Sequence, residues 1–111
     1  WQKIAIAACE QCGSHGPPTI NSPVALCEFL KKESTASRLV LDKSGDNSLS
    51  EIKKSEAIDL VVGPEGGLSA FELKNLKSQG YKVINMGPRI LRTETAPIAA
   101  LAILQSGYGD M

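Results

Sequence analysis

Apolar residues recur at three- and four-residue spacing from the start of the chain. Trp1, Ile4, Ala5, Ala8, Cys9 and Cys12 share one stripe of a helix, widened by Ile6 and Ala7. Gly13-Ser14-His15-Gly16-Pro17-Pro18 ends that pattern, because glycine suits a helix stop and two prolines forbid continuation. Ser22-Pro23 then has the form of a cap followed by proline in a first turn. It predicts a helix from Pro23 to about Glu33, with Val24, Leu26, Cys27 and Leu30 inward.

The period changes after that point. Residues 38–42 form an apolar run too short for a helix and fit a buried strand, residues 43–50 are polar and predict a loop, and residues 50–57 predict a short helix. A second apolar strand is expected over 58–62. Ser69-Ala70-Phe71-Glu72 has the capping-box pattern, with Leu68 and Leu73 at staple spacing, so a helix should open there, run to Gln79 and stop at Gly80. A third strand is expected over 81–85, ahead of Gly87-Pro88. Thr93 or Thr95 can cap a last helix that passes through Pro97 to Ser106.

Strands alternating with helices predict an α/β fold, a parallel sheet wrapped by helices. Only three strands are legible, and Trp1-Gln2-Lys3 enters a helical pattern directly. Both lead to the expectation that the chain is a single, partial domain whose N-terminal strands lie outside it. At 111 residues with 42% hydrophobic content, one small core is the sensible count, and with 5% aromatic residues it must be filled by aliphatic side chains.

Twelve basic residues balance twelve acidic ones, so the net charge calls for neither nucleic acid nor an anionic membrane. No apolar run approaches the roughly eighteen residues of a membrane span, and no secretory signal opens the chain, which leads to the expectation of a cytoplasmic protein. Three cysteines, an odd number, point to reduced thiols. Cys9 and Cys12 with His15 have half the spacing of a zinc site, but no fourth ligand is apparent and both thiols lie on the apolar stripe, so no metal is expected.

The candidate chemistry lies in two glycine loops, Gly63-Pro64-Glu65-Gly66-Gly67 and Met86-Gly87-Pro88, each following an apolar strand. An open α/β sheet binds ligands in a crevice at the carboxyl ends of its strands, so the pair suggests one site. Neither loop carries a dinucleotide or phosphate-loop fingerprint. Arg89, Arg92 and Glu94 follow the second loop; they suit either a clamp on a phosphate or carboxylate, or a structural ion network. His15, the only histidine, reads from spacing as a solvated loop residue.

Glu10-Gln11-Cys12-Gly13, the block 63–69 with Glu72, and Met86-Gly87-Pro88-Arg89-Ile90-Leu91-Arg92-Thr93-Glu94-Thr95-Ala96 together resemble the ribosomal RNA small-subunit methyltransferase E family. The resemblance covers essentially the whole chain. It implies a SPOUT-type fold with a C-terminal trefoil knot, a rare exception to unknotted topology. It also implies methyl transfer from S-adenosylmethionine to N3 of a uridine in 16S ribosomal RNA of the small ribosomal subunit, by a homodimer. The implied donor pocket is formed by Leu41, Val62, Gly63, Gly66, Gly67, Met86, Gly87, Ile90, Leu91, Thr93 and Ala96. Arg92 and Glu94 are the implied catalytic residues, Arg92 for the developing uracil anion, while Arg89 and His15 are directed to RNA.

Two departures accompany the likeness. Ser14 stands where the family usually has a basic residue after Glu-Gln-Cys-Gly. The family's N-terminal RNA-binding barrel of the PUA type is absent from the chain. Two other functions therefore stand beside methyl transfer: a catalytically silent ligand- or RNA-binding module, and an unrelated α/β enzyme that holds an acidic small molecule through Arg89 and Arg92.

Overall fold

Three short aliphatic runs pair into one parallel sheet. The computed structural model describes residues 2–13, 16, 18–32, 36–49, 57–86 and 94–108, which divide between two compact units, residues 1–32 and 33–111. In the second unit β1 (Ser37–Leu41) lies between β2 (Ile58–Val62) and β3 (Lys82–Ile84), giving the order β2-β1-β3. The register runs from Ser37 opposite Ile58 to Leu41 opposite Val62, and from Leu39 opposite Lys82 to Leu41 opposite Ile84. Parallel strands need crossover connections, and α3 (Ala70–Ser78) lies in the one that carries the chain from β2 past β1 to β3.

The central strand is buried on both faces, as parallel sheets require. Leu39 and Leu41 join Ile84, Leu49 and, from α4 (Thr95–Tyr108), Ala100 and Leu104 in one apolar cluster, with Ile58, Leu60, Val62, Met86 and Ala96 partly buried against it. Alternation puts Val40 and its partner Val83 on the opposite face; both are buried, Val40 completely. Each such aliphatic side chain stabilises the fold by roughly 1.5–3 kcal/mol.

The helix expected after the first glycine loop forms with both of its signals. The Ser69 hydroxyl accepts from the Glu72 amide at 3.1 Å, and the Glu72 carboxylate accepts from the Ser69 amide at 2.9 Å. At the other end Gly80, with φ +88°, lets its own N–H reach the Lys77 carbonyl and that of Tyr81 reach Leu76. This pair of bonds is the Schellman stop that glycine makes possible. The last helix begins at Thr95, so Thr95 is a helical residue rather than the cap, and Pro97 is accommodated in its first turn. Thr93 lies outside the described residues, as does nearly all of the short helix expected over 50–57.

In the first unit α1 (Gln2–Cys12) forms as its period predicts, but its stripe is not buried: Ile4 is 68% exposed and no residue of the helix is buried. A helical period provides a face and leaves its partner undecided. The second helix, α2 (Leu26–Leu30), is shorter than expected, and Ala25 rather than Ser22 occupies its N-cap position, with no side-chain cap. Val24 is 60% exposed. Without burial of that β-branched residue a first turn at Pro23 gains too little to offset the cost of nucleating helix. Among the described residues no helix is long and apolar enough to cross a membrane.

Candidate functional site

At the carboxyl ends of the three strands the backbone opens into a pocket of about 310 Å³, near the lower end of the range for small-molecule sites. Leu41 closes β1, Val62 closes β2, Met86 follows β3 and Ala96 opens α4; all four line the pocket. The first glycine loop forms its rim through Gly63, Gly66 and Gly67.

The chemistry of that loop explains its glycines. A Cβ on Gly63 would lie 2.9 Å from the Leu68 Cγ and 3.2 Å from the Leu68 nitrogen, so the chain folds back on itself only because no side chain is present. Gly67 has φ +79° and donates its N–H to the Pro64 carbonyl at 2.8 Å, closing a tight turn. Beside Gly66 and Gly67 a Cβ would meet nothing within 4 Å. Open space there leaves backbone polar groups within reach of a ligand.

Seven expected pocket residues are thus brought together. Gly87, Ile90, Leu91 and Thr93 lie outside the described residues, as do Arg89, Arg92 and His15. Glu94 is described: it is exposed, in the turn before α4, and does not line the pocket.

Several lining residues were not anticipated. Pro64, Glu65 and Leu68 belong to the anticipated loop, and Asn85 immediately precedes Met86. Asp42, expected as the last residue of the strand, follows the end of β1 at Leu41, and Lys43 opens the polar stretch after it. A charged pair at the end of a buried strand was the signal available for them, since the carboxyl ends of strands are where such sheets place ligands. Among the described lining residues two carboxylates, Asp42 and Glu65, stand against one ammonium, Lys43, a local excess that favours a positively charged group on a ligand.

The arrangement offers apolar walls from Leu41, Val62, Leu68, Met86 and Ala96, bare backbone at the rim and three charged side chains. A small molecule with an apolar body and charged groups suits such a lining.

Comparison with known proteins gives a consistent result. The family model described as RNA methyltransferase domain matches residues 1–105. The chain is 36% identical to a ribosomal RNA small subunit methyltransferase E of Buchnera aphidicola, over all of the chain and 46% of that protein. It superposes with a TM-score of 0.95 on the ribosomal RNA small subunit methyltransferase E of Neisseria gonorrhoeae bound to S-adenosyl methionine, at 38% identity over all of the chain and 48% of that structure. The same score holds for a Legionella pneumophila methyltransferase in complex with bound SAM, at 37% identity over 46% of its length. The chain therefore spans about half the length of these relatives, and the family likeness read from the glycine and arginine blocks is borne out.

Proposed function

The chain belongs to the RNA methyltransferase domain family, and from that premise we propose that its pocket holds S-adenosylmethionine for methylation of N3 of a uridine in 16S ribosomal RNA. The observation that carries the reading is the convergence of Leu41, Val62, Gly63, Gly66, Gly67, Met86 and Ala96, drawn from three strand ends and a helix start, on one cavity. Charge among the described lining residues supports the same reading: the sulfonium and ammonium of S-adenosylmethionine outweigh its one carboxylate, and Asp42 and Glu65 outweigh Lys43.

Bound there, the donor supplies an electrophilic methyl on a sulfonium. Leu41, Val62 and Met86 provide apolar surface for the adenine, and the backbone of 63–67 provides donors and acceptors for its edge or the ribose. Asp42 and Glu65 balance the positive groups. On the RNA side N3 must lose its proton before or as it bonds carbon, so a cation beside the uracil lowers the barrier by stabilising the anion. Arg92 is assigned that role in this reading, Arg89 and Glu94 are assigned to holding the loop or a phosphate, and His15 is assigned to RNA binding.

The same reading includes a C-terminal trefoil knot, further N-terminal strands and RNA-binding barrel in the parent protein, a cytoplasmic location and a homodimer. Support for the dimer comes from α4, which turns Ala100 and Leu104 inward yet leaves Ile98 71% and Leu101 53% exposed. Apolar surface of that kind on one helix face suits a second copy. Light scattering of Ile98→Glu/Leu101→Glu should show a monomer where the unaltered protein shows a dimer.

Two measurements test the function. Calorimetry should show S-adenosylmethionine binding; its absence returns the site to the unrelated-enzyme reading. Methyl transfer to small subunits lacking the modification should then follow, with the product identified as N3-methyluridine. Binding without transfer would leave a silent ligand-binding module.

A further inference from the structure

The stretch after β1, expected only as a polar connection, packs on the end of β3 more closely than any side chain would allow. A Cβ at Gly45 would lie 2.8 Å from the Ile84 carbonyl carbon, 2.8 Å from the Val83 carbonyl oxygen and 2.9 Å from the Asn85 nitrogen. All three are backbone atoms of β3 or the residue after it, so none can swing aside. Gly45 is not among the glycines with positive φ, which leaves contact alone as the reason a side chain is excluded.

Hydrogen bonds hold the turn on both sides of that contact. The Asp42 N–H donates to the Ile84 carbonyl at 3.0 Å, and the Asn85 N–H donates to the Asn47 carbonyl at 2.8 Å. The Asn85 side-chain amide donates to the Lys43 carbonyl at 3.3 Å. Within the turn the Asp42 carboxylate accepts from the Ser44 amide and hydroxyl, and the Gly45 N–H donates to the Asp42 carbonyl at 3.1 Å. Asp42 and Lys43, on this turn, line the pocket together with Asn85 and Met86, on the segment it grips.

We propose that the turn 42–47 is a clamp that positions the walls of the donor pocket, with Gly45 and Asn85 as its positioning residues. It fixes the Asp42–Lys43 wall against the start of the Met86 loop, and so acts on donor affinity rather than on the transfer step. This role rests on the pocket being the donor site. Replacing glycine by alanine in an ordinary backbone conformation stabilises a fold by restricting the unfolded chain. Here the approach to β3 reverses the sign.

The test compares Gly45→Ala and Asn85→Asp with Leu76→Ala, which empties a fully buried site on α3 that does not line this pocket. Calorimetry with S-adenosylmethionine and S-adenosylhomocysteine is paired with amide hydrogen exchange in the absence of ligand, on the full chain. Gly45→Ala should weaken both ligands about tenfold, and Asn85→Asp about fivefold, as expected for losing one or two hydrogen bonds at a wall. Exchange of the Asp42 and Asn85 amides should quicken in both variants, and in Gly45→Ala, whose residue does not line the pocket, the transfer rate at saturating donor should stay unchanged. Leu76→Ala should lose stability with affinity kept.

A Gly45→Ala protein with native affinity and native exchange overturns the clamp. So does a loss of affinity in Leu76→Ala as large as that in Gly45→Ala, because the effect would then be general loosening. If Gly45→Ala does not fold, Asn85→Asp decides by the same measurements. Failure of the unaltered protein to bind either ligand overturns the donor reading instead, while quickened exchange in Gly45→Ala would still support the clamp.

Discussion

The two ends of the sheet are built from the same strands and put to opposite uses. At the amino end Arg38 donates from Nη1 to the Gln79 carbonyl at 2.8 Å and lies 5.5 Å from the centroid of the Tyr81 ring, which is 5% exposed. A guanidinium on the carbonyl of Gln79, the C-cap of α3, answers one unmet hydrogen bond and the negative end of the helix dipole. At the carboxyl end, among the described residues, glycine backbone, two carboxylates and an ammonium line an open cavity. At one end a cation braces the stop of a helix; at the other, polar groups hold the turn after β1 and also line a cavity open to a ligand. The amino end should therefore answer for stability and the carboxyl end for binding.

The strongest attempt to break that division is Arg92→Ala, in the loop that follows the pocket wall. Methyl transfer to saturating RNA should fall by roughly two orders of magnitude or more if Arg92 stabilises the uracil anion, with the melting temperature little changed. An unchanged rate would remove Arg92 from the chemistry. Next comes Leu76→Ala, which should cost about 2–5 kcal/mol in denaturant unfolding and leave donor affinity alone.

A sharper comparison uses two glycines with the same left-handed backbone, Gly67 at φ +79° and Gly80 at φ +88°. Alanine at either should cost about 1–2 kcal/mol of stability, since neither Cβ would meet a neighbour and the strain is conformational. Only Gly67→Ala should also weaken the donor, measured by calorimetry. Equal effects on binding would deny that the two ends differ.

The smallest effect concerns pH. Burial pushes the Tyr81 hydroxyl above its ordinary value, the Asp59 carboxylate adds to that, and Arg38 opposes it. The folded state then keeps a proton that the unfolded chain releases above about pH 10. Stability from this group is complete below that pH and declines as pH rises through the folded value. Urea unfolding should show this alkaline decline in the unaltered protein and less of it in Tyr81→Phe, while donor affinity at neutral pH is the same in both.

Much of this architecture was legible in single residues. Ser69 and Glu72 announced the start of α3, Gly80 its end, and the aliphatic runs their strands, because each signal acts through its own neighbours in the chain. The pocket was legible for a related reason: glycine loops after apolar strands can be found in one dimension, and seven of the residues named for the donor line it. Expectation failed where a partner was needed. The stripe on α1 is regular and unburied, and the cap at Ser22-Pro23 starts no helix, since short helices depend on what covers them.

The order of residues by itself determined the three strands, α3 with both its ends, the parallel α/β class and the family, all of which depend on spacing and on residue type. Tertiary structure alone decided that β1 is central, that Asp42, Lys43 and Asn85 face the cavity, and that Gly45 tolerates no side chain. Those facts arise when segments some forty residues apart come within van der Waals distance, and no local pattern encodes which backbone will arrive there.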